Sequence, residues 1–276
     1  MEEQFIKELL ADLESDNLVL PTLPEVALKV RDTLEDESMG LSDVAKIVTT
    51  DTALSARLIQ IANSPLLRAN REIDSVDAAI TRMGANMVRN LVTSIVMEQM
   101  FQATSDATDK RLRRIWEHST EVAAISNALA AQFTSLPPDQ ALLAGLVHDI
   151  GSLPILSRAE DVPELLQDEE LLDRIIARTH TSIGSAILRK WNFPEELITV
   201  AAEHEDLQRN SPQTDLVDVV MVANLQSYLG SDHPLTKIDW STIPAFAKLG
   251  LQPDVSVVDM DETNQQIEAV KSALIS

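Results

Sequence analysis

The sequence predicts an all-α protein, and three observations predict it. Seven glycines and 3% aromatic residues in 276 are too few for the turns and β-prone side chains of a sandwich. Alanine, leucine, glutamate and glutamine are abundant, and these residues favour helix. Apolar residues recur at helical spacing, and no stretch alternates as a half-buried strand would. A chain of this length holds one large domain or two modest ones, and either buries a substantial core.

The elements follow in order. The opening "MEEQFIKELLADLESD" is an acidic amphipathic helix, unlike a signal peptide. Pro21 and Pro24 precede a helix with Val26, Val30 and Leu34 along one stripe. Two short helices come next: Ser42 or Asp43 caps the first, Asp51 caps the second, and Asn63, Ser64 and Pro65 stop it. "IDSVDAAITRMG" forms a helix ending near Gly84, and its successor carries Val88, Leu91, Val92, Ile95 and Val96. The polar, aperiodic "QATSDATDK" at 102–110 places a subdomain boundary there, giving units of 1–105 and 106–276. Residues 111–133 form a long helix with Leu112, Ile115, Trp116, Val122 and Phe133 on its apolar side. Pro137, Pro138 and Asp139 open the helix that carries His148, and further helices are predicted near 161–178, 181–191, 195–204 and 215–229. A tail from 231 mixes prolines with short helices and ends in a helix at 262–274.

Charge restricts the partners. With 22 Lys and Arg against 44 Asp and Glu the net charge is −22, which repels a polyanion, so nucleic acid is not expected to bind. The short helices at 42–62 could suggest a DNA reader, but Arg57 and Gln60 stand almost alone there. Zero cysteines removes disulfides, thiolate zinc sites and cysteine nucleophiles together. With no run expected to span a membrane, the chain reads as a cytoplasmic protein.

The histidines carry the chemistry. In "LLAGLVHDIG", residues 142–151, His148 and Asp149 stand side by side near a helix end, followed by Gly151. Neighbouring positions point about 100° apart on a helix, so such a pair serves one centre best where the helix stops. His118 flanks a stripe through Ile115, Val122 and Ile125; His180 lines up with Ile183, Ile187 and Trp191; His204 lines up with Leu197, Val200 and Ala201. His148 shares its face with Ala141, Ala144 and Gly145, small residues that let another helix approach. Any one such histidine is ordinarily a core residue. Four on different helices, beside an aspartate, predict a metal centre inside a bundle, since each helix can offer only one or two converging ligands. Imidazole and carboxylate suit one or two divalent metals (Fe, Mn or Zn), and two metals can share a bridging Asp. His233, before Pro234 in a loop, reads as surface. "KRLRR" at 110–114 reads as a solvated helix start, with a phosphate-bearing ligand as the alternative.

At these residues the chain resembles a known family. "GLVHDIG" is similar to the signature of the HD phosphohydrolase superfamily. "LPTLPEVALKV", "IVTTDTALSARLIQIANSP", "DSVDAAITRMG" and "HTSIGSAILRKWNFPEELITVAAEH" together resemble an HDOD domain, over roughly residues 18 to 230. The resemblance implies an N-terminal helical bundle packed against an HD-like helical bundle, in a bacterial signalling module. Its metal pattern implies His118, His148, Asp149 and Asn224 as ligands, with His180 and His204 added by the multinuclear HD-GYP type and Glu203 beside His204. Three departures stand out: Asn224 replaces a carboxylate, Ser152 replaces the lysine after HD-x-Gly, and the Gly-Tyr-Pro loop is missing. These departures put one of two functions first. The favoured one is regulatory, with a partly retained metal site, through a signalling protein partner or a homodimer, with any metal, nucleotide or phosphate as ligand. The other is a metal-dependent phosphohydrolase in which Asp149 belongs to the catalytic centre.

Overall fold

The computed structural model describes residues 1–64, 67, 72–101, 106–258 and 261–274. Among these every regular element is a helix. The first group comprises α1 Glu2–Glu14, α2 Glu25–Glu35, α3 Leu41–Thr49, α4 Thr52–Asn63 and α5 Val76–Met97. Asp51 caps α4 as expected, its carboxylate accepting the Leu54 N–H at 3.0 Å. In α3 the cap lies earlier than Ser42 or Asp43: Gly40 is the N-cap residue, and Asp43 reaches back to accept its N–H at 3.1 Å. Pro65 and the expected boundary at 105/106 fall on or beside 65–66 and 102–105, outside the described residues. Gly84, at φ 77°, interrupts α5 where the sequence places a helix end.

The second group comprises α6 Asp106–Phe133, α7 Pro138–Val147, α8 Ser152–Ala159, α9 Pro163–Gln167, α10 Glu169–Lys190, α11 Glu195–Glu203, α12 Leu216–Ser227, α13 Pro244–Leu249 and α14 Asp261–Leu274. The helices expected at 161–178 and 181–191 are the short α9 and the continuous α10. Asp168 caps α10 by accepting from Leu171 N at 3.0 Å, and nothing between Arg178 and Thr181 breaks it.

Apolar character sorts these helices into layers. In α7 every residue from Ala141 to Val147 is buried, and in α12 every residue from Leu216 to Gln226. Helices apolar all round belong at the centre, and here α7 and α12 pack on each other and on α6 and α11, with α5 against α7. Pro138–Ala159 is apolar and long enough for a membrane span (mean hydropathy 1.2), but 83% of its most apolar window is buried inside the fold. Its composition is that of a core.

The two groups are stitched together by polar contacts. Trp191, just past α10, accepts Arg31 Nη1 on its carbonyl at 2.8 Å and donates Nε1 to Pro21 O at 3.0 Å. Asn90 of α5 donates to Asp139 Oδ2 at 2.7 Å, at the start of α7. Helix α1 lies against α10, where Arg178 pairs with Glu2 and Glu3. The cationic run 110–114 is largely a solvated face, with Arg111 paired to Asp173 and Arg113 to Asp109. Near the end of the chain, α14 docks on α6 through Gln266 to Asn127 at 2.8 Å and Thr263 to Gln132 at 2.9 Å.

Close approach at α7 and its following turn depends on two glycines. A methyl group at Gly145 would lie 2.7 Å from Ala123 Cα of α6, and one at Gly151 would collide with the His180 carbonyl of α10. Gly151→Ala must therefore push α10 away from the turn. The expected loss is roughly 1–3 kcal/mol of unfolding free energy, read by urea denaturation.

Candidate metal centre

The chain brings all five predicted His and Asp residues to one point. Helix α7 delivers His148 at its C-cap and Asp149 in the turn beyond, so both side chains reach inward although they are adjacent. Helix α6 supplies His118, α10 supplies His180, and the C-cap of α11 supplies His204. The Asp149 carboxylate sorts the imidazoles into two pairs. Its Oδ2 lies 3.8 Å from His118 Nε2 and 3.4 Å from His148 Nε2. Its Oδ1 lies 3.3 Å from His180 Nε2 and 3.4 Å from His204 Nε2. Each pair with Asp149 forms a group able to hold a metal ion.

Backbone carbonyls choose the tautomers. His148 Nδ1 is 2.6 Å from Gly145 O, His180 Nδ1 is 2.8 Å from Ile176 O, and His204 Nδ1 is 3.0 Å from Val200 O. A carbonyl only accepts, so Nδ1 carries the hydrogen and a neutral ring turns the Nε2 lone pair toward Asp149. Lone pairs meeting a carboxylate repel unless a cation or a proton lies among them. His148 Nε2 is buried without a hydrogen-bond partner, and so is Asn224 Oδ1 on α12. These orphaned acceptors fit a divalent cation.

Protonation agrees with the geometry. Burial pushes His148 down to about 3 and lowers His118, so both are neutral ligands near neutral pH. Burial alone would raise Asp149, but His148, His204 and His180 outweigh it and hold the carboxylate well below the usual range. Burial also works to lower His204; its hydrogen bond to Asp149 and the charge there win and raise it. His180 Nε2 and His204 Nε2 lie 3.2 Å apart, close enough for both to ligate one ion.

Sequence reasoning missed three neighbours. Glu205 lies 3.8 Å from His180 Nε2, whereas Glu203, expected beside His204, pairs with Arg209 instead. Helix α11 ends at Glu203, so periodicity does not reach Glu205. The loop that follows is braced by Arg209 to Asp215 and by Lys248 to the buried Asp218. Tyr228, past the end of α12, places its hydroxyl 3.3 Å from His118 Nε2. His233, expected as surface, stacks on Tyr228 with ring centroids 3.7 Å apart. The centre opens to solvent on this side: the side chains of Asp149 and His118 are 21% and 19% exposed, while that of His148 is fully buried.

The HDOD domain family model matches residues 20–207. The chain belongs to the HDOD family. A solved structure of a candidate metal-dependent phosphohydrolase from Shewanella amazonensis SB2B is similar to this HDOD protein over 99% of both chains, at 30% identity and a TM-score of 0.89. An HDOD domain protein of unknown function from Geobacter sulfurreducens shares the fold, at 22% identity and a TM-score of 0.64, over 98% of this chain and 96% of its own. An uncharacterized protein of Treponema pallidum is 27% identical over 247 residues, covering 82% of this chain and 46% of the relative. The chain spans less than half the length of the curated relatives it matches.

Metal binding by this HDOD protein is expected to release a proton. With a raised folded value, the His204–Asp149 pair stabilises the metal-free fold fully below the unfolded histidine value of 6.5 and is lost as pH rises through the folded value. A ligating Nε2 must be unprotonated. Calorimetric titration with Zn²⁺ in buffers of different ionisation heat should show proton release at about pH 6.5 that diminishes as pH rises through the raised His204 value while affinity increases.

Proposed function

We propose that this HDOD protein is a metal-dependent phosphohydrolase acting on a small phosphate ester or nucleotide. The observation that carries this reading is the division of four imidazoles into two pairs by the two oxygens of Asp149. His118, His148 and Asn224 would hold one divalent ion and His180 and His204 a second, with Asp149 common to both sets and Glu205 3.8 Å from His180 Nε2. Divalent ions (Fe, Mn or Zn) there would supply Lewis-acid polarisation of a phosphoryl oxygen and acidify a water.

The chain's own groups divide the remaining work. Carbonyls behind His148, His180 and His204 fix ring orientation, so the ligand set needs little rearrangement. Burial raises Tyr228 above its ordinary value, which keeps its hydroxyl protonated as a donor beside His118 on the open side of the centre. The net charge of −22 disfavours a polyanionic substrate and favours a small ester.

Asn224 and Ser152 favour a second reading. The amide removes one balancing negative charge, and no lysine follows Gly151 to steady phosphate. In that reading the metal is structural, and the protein acts by binding a signalling partner or a second copy of itself.

Elemental analysis combined with a turnover assay separates these readings. Protein purified with added Fe, Mn or Zn is expected to carry stoichiometric metal, and Asp149→Ala and His148→Ala should lose both the metal and the turnover of a nucleotide and phosphate-ester panel. Metal-free wild-type protein would rule out the centre; bound metal without turnover would support the regulatory reading. Tyr228→Phe is expected to keep its metal and to lower kcat/KM roughly tenfold to a hundredfold.

A further inference from the structure

A cavity of about 230 Å³ lies between the two helix groups, separate from the histidine cluster. Ala27, Arg31 and Glu35 of α2 line it at four-residue spacing, so they share one stripe. Helix α5 adds Arg89, and the second group closes the space with Gln140, Leu143, Asn192 and Phe193.

One cationic side chain here is incompletely used. Arg89 donates Nη2 to Asn86 Oδ1 at 2.6 Å, while its Nε is buried with no hydrogen-bond partner. A buried guanidinium nitrogen without an acceptor is costly and rare, and a small turn of the Arg89 side chain toward the cavity would let a ligand supply the acceptor. Arg31 is anchored by Nη1 on the Trp191 carbonyl at 2.8 Å and pairs through Nε and Nη2 with Asp32 Oδ1 at 3.3 Å, so a second, partly neutralised guanidinium is fixed at the same cavity. In a chain with twice as many acids as bases, the lining holds two arginines and one acid, Glu35; Asp32 pairs with Arg31 beside the cavity, which leaves Arg89 as the principal anchor. The remaining wall combines amides, which orient a ligand, with apolar side chains, which cover its body.

We propose that this cavity binds a small organic anion, its carboxylate or phosphate head at Arg89 and Arg31 and its apolar body against Leu143 and Phe193. Guanidinium forks match both heads bidentately. The volume lies below that of drug-sized sites, about 300–1,000 Å³, so the ligand is a single ring or a short chain. A bound anion would touch both helix groups and tie them together. This site stands independently of the metal reading.

The test uses the full chain stripped of metal, with benzoate and phenyl phosphate as probes and benzamide as the neutral isostere of benzoate. Calorimetry and thermal unfolding are expected to show saturable binding of at least one anion and none of benzamide. Arg89→Met should weaken that binding about tenfold or more, with Arg89→Lys losing less. Leu143→Trp, which fills the space and keeps both charges, should abolish it, while His148→Ala should leave it unchanged. The proposal is overturned if neither anion binds at about 10 mM, a concentration that already detects affinities weaker than 1 mM. It is equally overturned if Leu143→Trp binds as the wild type does, or if His148→Ala removes binding and so places the anion at the histidine cluster.

Discussion

One carboxylate facing four imidazole nitrogens is the constraint on which the second helix group depends. Asp149 sits where α7 has just ended, and the imidazoles come from α6, from the end of α7, from α10 and from α11. Each of these helices must place one ring within about 4 Å of the same two oxygens, which fixes their separation and rotation together. Without a cation or proton among them, the converging lone pairs would push these helices apart. The ligand-binding and folding energetics of this region are therefore one quantity.

Such convergence requires unusually close backbones. Helix α7 can lie against α6 because position 145 has no side chain, and the turn after Asp149 can rest on the His180 carbonyl because position 151 has none. Full burial of α7 then gives the centre a rigid apolar bed. Solvent reaches it from the side of His118 and Tyr228, so the buried rings hold geometry while the exposed edge meets whatever binds.

The fold and most of the site were legible because helical periodicity carried the signal. His118, His180 and His204 were placed inward by their apolar neighbours, and the His148–Asp149 pair by the glycine that ends its turn. Asn224 was named through the family pattern; its buried, unpartnered oxygen is a property only coordinates display. Glu205 and His233 lie past helix ends, where spacing loses its phase and loop geometry decides; Tyr228 continues the inward line of Val217, Val220, Met221 and Asn224, but only the coordinates bring its hydroxyl to His118. The same limit explains the helix boundaries. Arg178 to Thr181 contains no breaker, so one helix runs through, and the α3 cap moved to Gly40 because Asp43 serves the backbone from the third helical position. The inter-group cavity had no sequence signature, since its walls come from segments as far apart as Ala27 and Phe193.

Tyr228 has a consequence beyond its contacts. It is the single tyrosine of the chain, and its ring is sandwiched between His118 and His233. Every phenolic signal the protein gives, whether a ring resonance or an ultraviolet ionisation step, thus originates beside the cluster. The molecule carries a built-in optical and magnetic reporter there, assignable without labelling a second residue.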